Sequence, residues 1–165
     1  MFRDMRRKRQ ALPEEACMEI LNRGTSGVLA VSGDDGYPYA VPLSYVYDGH
    51  SIFFHCAASG HKLDSIAVNE KASFCVIGQD LVVPETYTTH YRSVIVFGKI
   101  RILPEGSRKM EAIEKLTAKY TPDASPDDRR RAIEKDYAPL CMLEMTIEHM
   151  SGKQSIELVS AAPGT

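Results

Sequence analysis

The segment Ser59-Gly60-His61-Lys62 brings together residue types that suit one job, the holding of an anion. It follows an apolar run, Ile52 to Ala57, and leads into Leu63, Ile66 and Ala67 at helical spacing, so it reads as the turn from a short strand into a short helix. Ser59 suits an N-cap, Gly60 lets a ligand approach the backbone, and Lys62 puts a cation in the first helical turn, where the helix end is already positive. Free N–H groups, that helix end and a lysine together fit a phosphate. The same residues also make an ordinary strand-to-helix turn with a solvated lysine, and they do not by themselves separate the two readings.

Other chemistry finds little support. The chain has no G-x-G-x-x-G, no Walker loop, no G-x-S-x-G and no H-E-x-x-H. His50, His55, His61, His90 and His149 stand without carboxylates or cysteines at metal-ligand spacing, so no metal site is expected. Cys17, Cys56, Cys75 and Cys141 lie singly in apolar segments and read as buried thiols of a reducing compartment. A formal net charge of -2 over 165 residues argues against nucleic acid as the main partner. No apolar run approaches the roughly 20 residues of a membrane helix, and no hydrophobic signal region follows the basic start, so a cytoplasmic protein is expected.

The length fits one domain, 1–165, with a basic N-terminal arm over 1–12 and an unstructured tail over 160–165. Pro13 opens a helix that ends before Gly24; Thr25 to Val31 reads as a strand, and Ser32 to Gly36 as a hairpin turn. From Tyr39 to Tyr47 the chain alternates, with Tyr39, Val41, Leu43, Tyr45 and Tyr47 on one face and the smaller Ala40, Pro42, Ser44 and Val46 on the other. A face of small residues lets a flat ring lie close to the backbone, and Pro42, which lacks an N–H, marks an edge strand or interrupted pairing. Ala72 to Ile77 is a further strand, Gly78 to His90 a polar connection of the length that often covers a site, and Tyr91 to Leu103 a long strand with a bend at Gly98. Helices are expected from Pro104 and from Ser125-Pro126, and a half-buried strand from Leu140 to Glu148 with Cys141, Leu143, Met145 and Ile147 inward. The class is mainly β with flanking helices, and a long bent strand favours a barrel.

Thr25-Ser26-Gly27-Val28-Leu29-Ala30, Gly36-Tyr37-Pro38-Tyr39-Ala40-Val41-Pro42-Leu43-Ser44-Tyr45, Phe54-His55-Cys56-Ala57, Ser59-Gly60-His61-Lys62 and Ser151-Gly152-Lys153 occur in that order. In this the chain resembles the nitroimidazole-resistance (Nim) proteins, within the pyridoxamine-phosphate-oxidase-like flavin-binding split barrels. The resemblance implies an FMN-binding split β-barrel, a homodimer with flavin at the interface, FMN rather than FAD or haem, and reduction of a nitroimidazole-type small molecule. It places the flavin along Val41, Pro42, Leu43 and Ser44, with His55, Ala57 and Ser93 near it, and the phosphate at Ser59, Gly60, His61 and Lys62. It makes His61 the candidate catalytic residue, with a mere phosphate contact as the alternative. Gly60-His61-Lys62 stands where the oxidase branch carries Ser-Arg-Lys, which argues against pyridoxamine phosphate oxidation. A flavin or haem carrier without turnover is the other reading kept.

Overall fold

The computed structural model describes residues 1–137 and 139–160, the side chain of Ser160 excepted. In chain order the elements are β1 (Ala11–Leu12), α1 (Glu14–Arg23), β2 (Ser26–Ser32), β3 (Pro38–Ser44), β4 (Val46–Tyr47), β5 (Ser51–Ala57), α2 (His61–Val68), β6 (Lys71–Val83), β7 (Thr88–Ile102), α3 (Ser107–Tyr120), α4 (Pro126–Asp136), β8 (Leu140–Gln154) and α5 (Ile156–Ser160). The strands form one antiparallel sheet in the order β3-β2-β6-β7-β8-β5-β4, with β1 on the last residues of β8. It curls until β3 lies beside β5, yet the two share no ladder, so the sheet is not closed. The tail expected over 160–165 lies outside the described residues, apart from Ser160 at the end of α5.

Two apolar cores result. The inner one gathers Leu29, Phe54, Phe74, Val76, Val94, Val96, Leu143 and Met145 from alternating strand positions, together with Leu21 of α1 and Ile66 of α2. The second lies on the opposite face of β5 and β8, where Phe53 and Met142 meet Ala112, Ile113 and Leu116 of α3 and Ile133 of α4. The expected half-buried strand is thereby corrected: Met142 and Glu144 are buried, because helices from elsewhere in the chain cover that face. Glu144 is tolerated there because Arg101 and Arg108 grip it, at 2.7 and 2.5 Å. The strand also runs on to Gln154, well past the expected end at Glu148.

Other expectations change as well. The polar stretch from Gly78 to His90 is no loop: β6 and β7 continue as a paired ribbon, Gln79 opposite Arg92 through Val83 opposite Thr88, closed by Pro84–Thr86. Its polarity reflects a ribbon bathed on both sides, since β2 has left the pairing before it and β8 leaves after Arg92. The third helix starts at Ser107, after Gly106, so Pro104 and Glu105 precede it. Cys75 and Cys141 are half-buried where full burial was expected. The bend at Gly98 is present as a bulge against β8; a Cβ there would stand 2.0 Å from the Thr146 carbonyl oxygen, so only glycine fits.

The edge strand β3 has a definite phase. Gly33 N–H donates to the Tyr37 carbonyl at 2.8 Å, and with Gly33 opposite Tyr37 the ladder puts Pro38, Ala40, Pro42 and Ser44 at positions whose N–H groups point away from β2. Pro42 therefore costs the sheet no bond. Between β3 and β4 the pairing lapses at Tyr45, and the Tyr120 hydroxyl of α3 takes over: it accepts from the Tyr45 N–H at 3.0 Å and lies against the carbonyls of Tyr45 and Thr25. This clasp fixes α3 to the end of β3.

Candidate functional site

The turn out of β5 is built from backbone conformation first. Gly60, and not Ser59, is the N-cap of α2; its φ of +131° is a region that side chains rarely adopt, and its carbonyl accepts from Leu63 and Asp64. Ser59 makes no capping bond, because the left-handed step at Gly60 already turns the chain. Among the described residues, none accepts from the N–H groups of His61 and Lys62, and Lys62 has no acidic partner within salt-bridge distance. Two free amides, a helix start and an unpaired ammonium form a donor set that fits a phosphate group. Asp64, also in the first turn, offsets part of that positive charge.

Beside the turn stands the platform. Ala40 and Pro42 are exposed and Ser44 is half-exposed on the outer face of β3, whereas Val41 and Leu43 turn their side chains into the inner core and offer that outer face only backbone. His55 and Ala57 are exposed on β5, on the side away from the inner core. The structure thus brings Ala40, Pro42, Ser44, His55, Ala57 and the Ser59–Lys62 turn to one region, across the gap between β3 and β5.

Two predicted site residues stand apart from the platform. Ser93 is on the outer face of β7, opposite Ile77 and Lys153, and three strand spacings from β3, roughly 14 Å at about 4.8 Å per strand. His61 does lie in the turn, but its ring packs on Tyr39 with centroids 4.2 Å apart, and its Nε2 stands 3.5 Å from Asp34 Oδ2. Since Tyr39 belongs to the bulky face of β3, His61 is drawn toward the β2–β3 turn rather than over Pro42.

Lys62 also faces inward electrically. Cys56 precedes the turn directly opposite Cys141 of β8, and its thiol is pushed up to about 12, first by burial and then by the Cys141 thiol, with the Lys62 charge opposing. Both thiols are free.

Sequence reading missed the wall of the site. A slot of about 390 Å³ opens between Ser44 and His55 on one side and α3 and α4 on the other, with Ile113, Leu116, Tyr120, Ile133 and Asp136 among its lining. The available signal was slight: Ala132-Ile133 is the only apolar pair in the otherwise charged Pro126–Asp136 helix.

Further apolar surface faces outward from the middle of the sheet. Val28, Ile77, Ile95 and Phe97 are exposed there, and the ribbon beyond carries Leu81, Val82 and Tyr87, the last 97% exposed. No helix among the described residues is long and apolar enough to cross a membrane.

Comparison with known proteins gives the fold a context. No curated protein sequence matches the chain. A crystal structure from Bacteroides thetaiotaomicron VPI-5482, provisionally described as a 5-nitroimidazole antibiotic resistance protein, aligns with TM-score 0.72 at 17% identity over 87% of this chain and 86% of that one. The conserved hypothetical protein Rv2991 of Mycobacterium tuberculosis aligns with TM-score 0.79 at 17% identity, over 98% and 96% of the two chains. The FAD and heme binding protein of Mycobacterium smegmatis aligns with TM-score 0.71 at 21% identity, over 95% and 81%. At these identities the likeness is one of fold. The family model described as pyridoxamine 5'-phosphate oxidase matches residues 13–154, from the cap of α1 to the last residue of β8, and the chain belongs to that family.

Proposed function

We propose that the protein is a cytoplasmic, FMN-dependent oxidoreductase that works as a homodimer and reduces the nitro group of nitroimidazole-type compounds. The observation that carries the reading is the turn at Ser59–Lys62, where two free amides and a lysine without an acidic partner stand at the end of β5, beside the strand edge of small residues. In it, Ser59, Gly60, His61 and Lys62 hold the phosphate, and the backbone of Val41 and Leu43 with Pro42, Ser44, His55 and Ala57 bounds the ring. Bound flavin supplies the electrons. The chain supplies a positive turn that fixes one end of the cofactor, a flat bed beside β3, and His55 or His61 as hydrogen-bond donors near it.

The dimer rests on two further observations. The face carrying Val28, Ile77, Ile95 and Phe97 is apolar and exposed, even with Phe2 packed on Phe97, as an interface between copies would be. Ser93 lies on that same face, too far from the turn of its own chain to serve that site except from a second copy.

The test is a flavin titration followed by fluorescence, with the molecular mass measured by light scattering. Lys62→Ala is expected to weaken FMN at least about tenfold, the equivalent of losing one charge-assisted hydrogen bond, while riboflavin, which lacks the phosphate, changes by less than about twofold. Equal losses for both ligands would put the phosphate elsewhere. A second reading, a flavin or haem carrier without turnover, draws support from the fold shared with the FAD and heme binding protein of Mycobacterium smegmatis. A haem absorption band in the purified protein, or bound FMN that never passes electrons to 2-nitroimidazole, would favour it.

A further inference from the structure

We infer that the slot between β5 and the α3–α4 pair is the substrate subsite, and that it takes a small, flat heteroaromatic compound whose polar substituent accepts a hydrogen bond from His55. The inference rests on the flavin reading for its neighbour, because Ser44 and His55 belong at once to the slot and to the ring platform. A ligand in the slot therefore lies next to whatever occupies the platform.

The chemistry of the walls selects the ligand. Ile113, Leu116 and Ile133 are buried side chains of α3 and α4 that close one side with hydrocarbon, so the body of the ligand must be apolar. A volume of about 390 Å³ lies within the usual range of roughly 300 to 1,000 Å³ for small-molecule pockets, and near its lower end, which suits a single ring with short substituents. His55 is exposed, and among the described residues its side chain has no hydrogen-bond partner, so its ring N–H is available to a ligand in the slot. His61, by contrast, is occupied with Tyr39 and Asp34. The Tyr120 hydroxyl ties the C-terminal end of α3 to Tyr45, one residue beyond Ser44, and so holds the α3 wall against β3.

The slot differs from a packing defect in its lining, which includes the polar side chains of Ser44, His55, Tyr120 and Asp136 beside the hydrocarbon of the second core. A defect in that core would be lined by hydrocarbon alone.

The experiment uses 2-nitroimidazole as the probe on the full chain, free and loaded with FMN. Binding is read by calorimetry and by the methyl NMR signals of Ile113 and Ile133. Ala132→Phe, which adds bulk to the slot from an exposed position on α4, is expected to weaken the probe at least about tenfold while FMN affinity stays within about twofold. Thr117→Leu narrows the slot from α3 and should act in the same direction, which guards against a folding defect of either variant. His55→Gln should weaken the probe about three- to tenfold. Unshifted methyl signals, or probe affinity unchanged in both filled variants, overturns the inference. A parallel loss of FMN affinity also overturns it, because the slot would then belong to the cofactor. Failure of FMN to bind wild type sinks the flavin reading, and the methyl shifts on the same sample still decide the slot.

Discussion

Removing one oxygen atom from Tyr120 tests whether the helix and the broken strand are a single unit. In Tyr120→Phe the ring stays, but the hydroxyl that accepts from Tyr45 N–H and lies against the carbonyls of Tyr45 and Thr25 is gone. A hydroxyl has one proton, so it donates to one carbonyl at a time; the loss is one donated and one accepted bond. Each neutral bond is worth about 0.5–1.5 kcal/mol net, and the N–H of the buried Tyr45 has no other acceptor among the described residues, which moves the cost toward about 2–3 kcal/mol. For a chain of 165 residues, 1 kcal/mol corresponds to about 2–4 °C in melting temperature, so a fall of about 4–12 °C is expected by calorimetry. Tyr45→Phe is the control, since it deletes a different bond, from the buried Tyr45 hydroxyl to the Leu21 carbonyl at 2.7 Å, and leaves the clasp alone. A Tyr120→Phe protein that melts within 1 °C of wild type would refute the clasp.

Two further outcomes follow from the electrostatics. Burial alone would raise the Glu144 carboxyl, but the hydrogen bonds from Arg108 and Arg101 outweigh it and hold the group below the ordinary glutamate value. A depressed carboxyl contributes stability above the unfolded value near pH 4.3 and loses it as pH falls through the folded one, so Glu144→Gln should cost about 1–3 kcal/mol at pH 7. The gap to wild type should close on acidification, as read by urea unfolding at several pH values; a gap independent of pH would contradict this sign. Cys56, raised to about 12, stays protonated at pH 8 and should resist iodoacetamide in the native protein, whereas denaturation should expose it to fast labelling; rapid native labelling of Cys56, mapped by mass spectrometry, would count against its burial beside Cys141.

Local signals in the chain were legible where one residue controls its own neighbourhood. Pro13 and Gly24 bracket α1, and Ser125 accepts from Asp128 N–H at 3.1 Å with Pro126 at the first helical position. The split into bulky and small faces holds from Tyr39 to Tyr47, with Tyr45 and Tyr47 in the inner core and Val46 in the second; what the pattern hides is the lapse of strand pairing at Tyr45, because that break depends on Tyr120, 75 residues away. Met142 and Glu144 were assigned to solvent because alternation reports that two faces differ, not that α3 will cover the second. The Gly78–His90 ribbon was read as a loop for a related reason: threonines and charges suit a strand whose two faces are both wet, and such a strand has no apolar period to display. For the candidate site, the turn at Ser59–Lys62 and the β3 stretch at Val41–Ser44 are each a short continuous segment, so a local pattern can propose them. The slot joins β3, β5, α3 and α4, and no local pattern announces a surface assembled from four segments.

The prolines of β3 bear on how this chain chooses its associates. An open sheet edge is indiscriminate, since backbone amides are the same in every protein and any extended strand can dock on them. On β3 the N–H groups directed outward belong to residues 38, 40, 42 and 44, and proline removes two of these four donors, at Pro38 and Pro42. Recognition that would otherwise fall to generic backbone is thus handed to side chains, which differ between proteins. A chain built this way offers a foreign extended strand only half the usual row of outward donors along this edge.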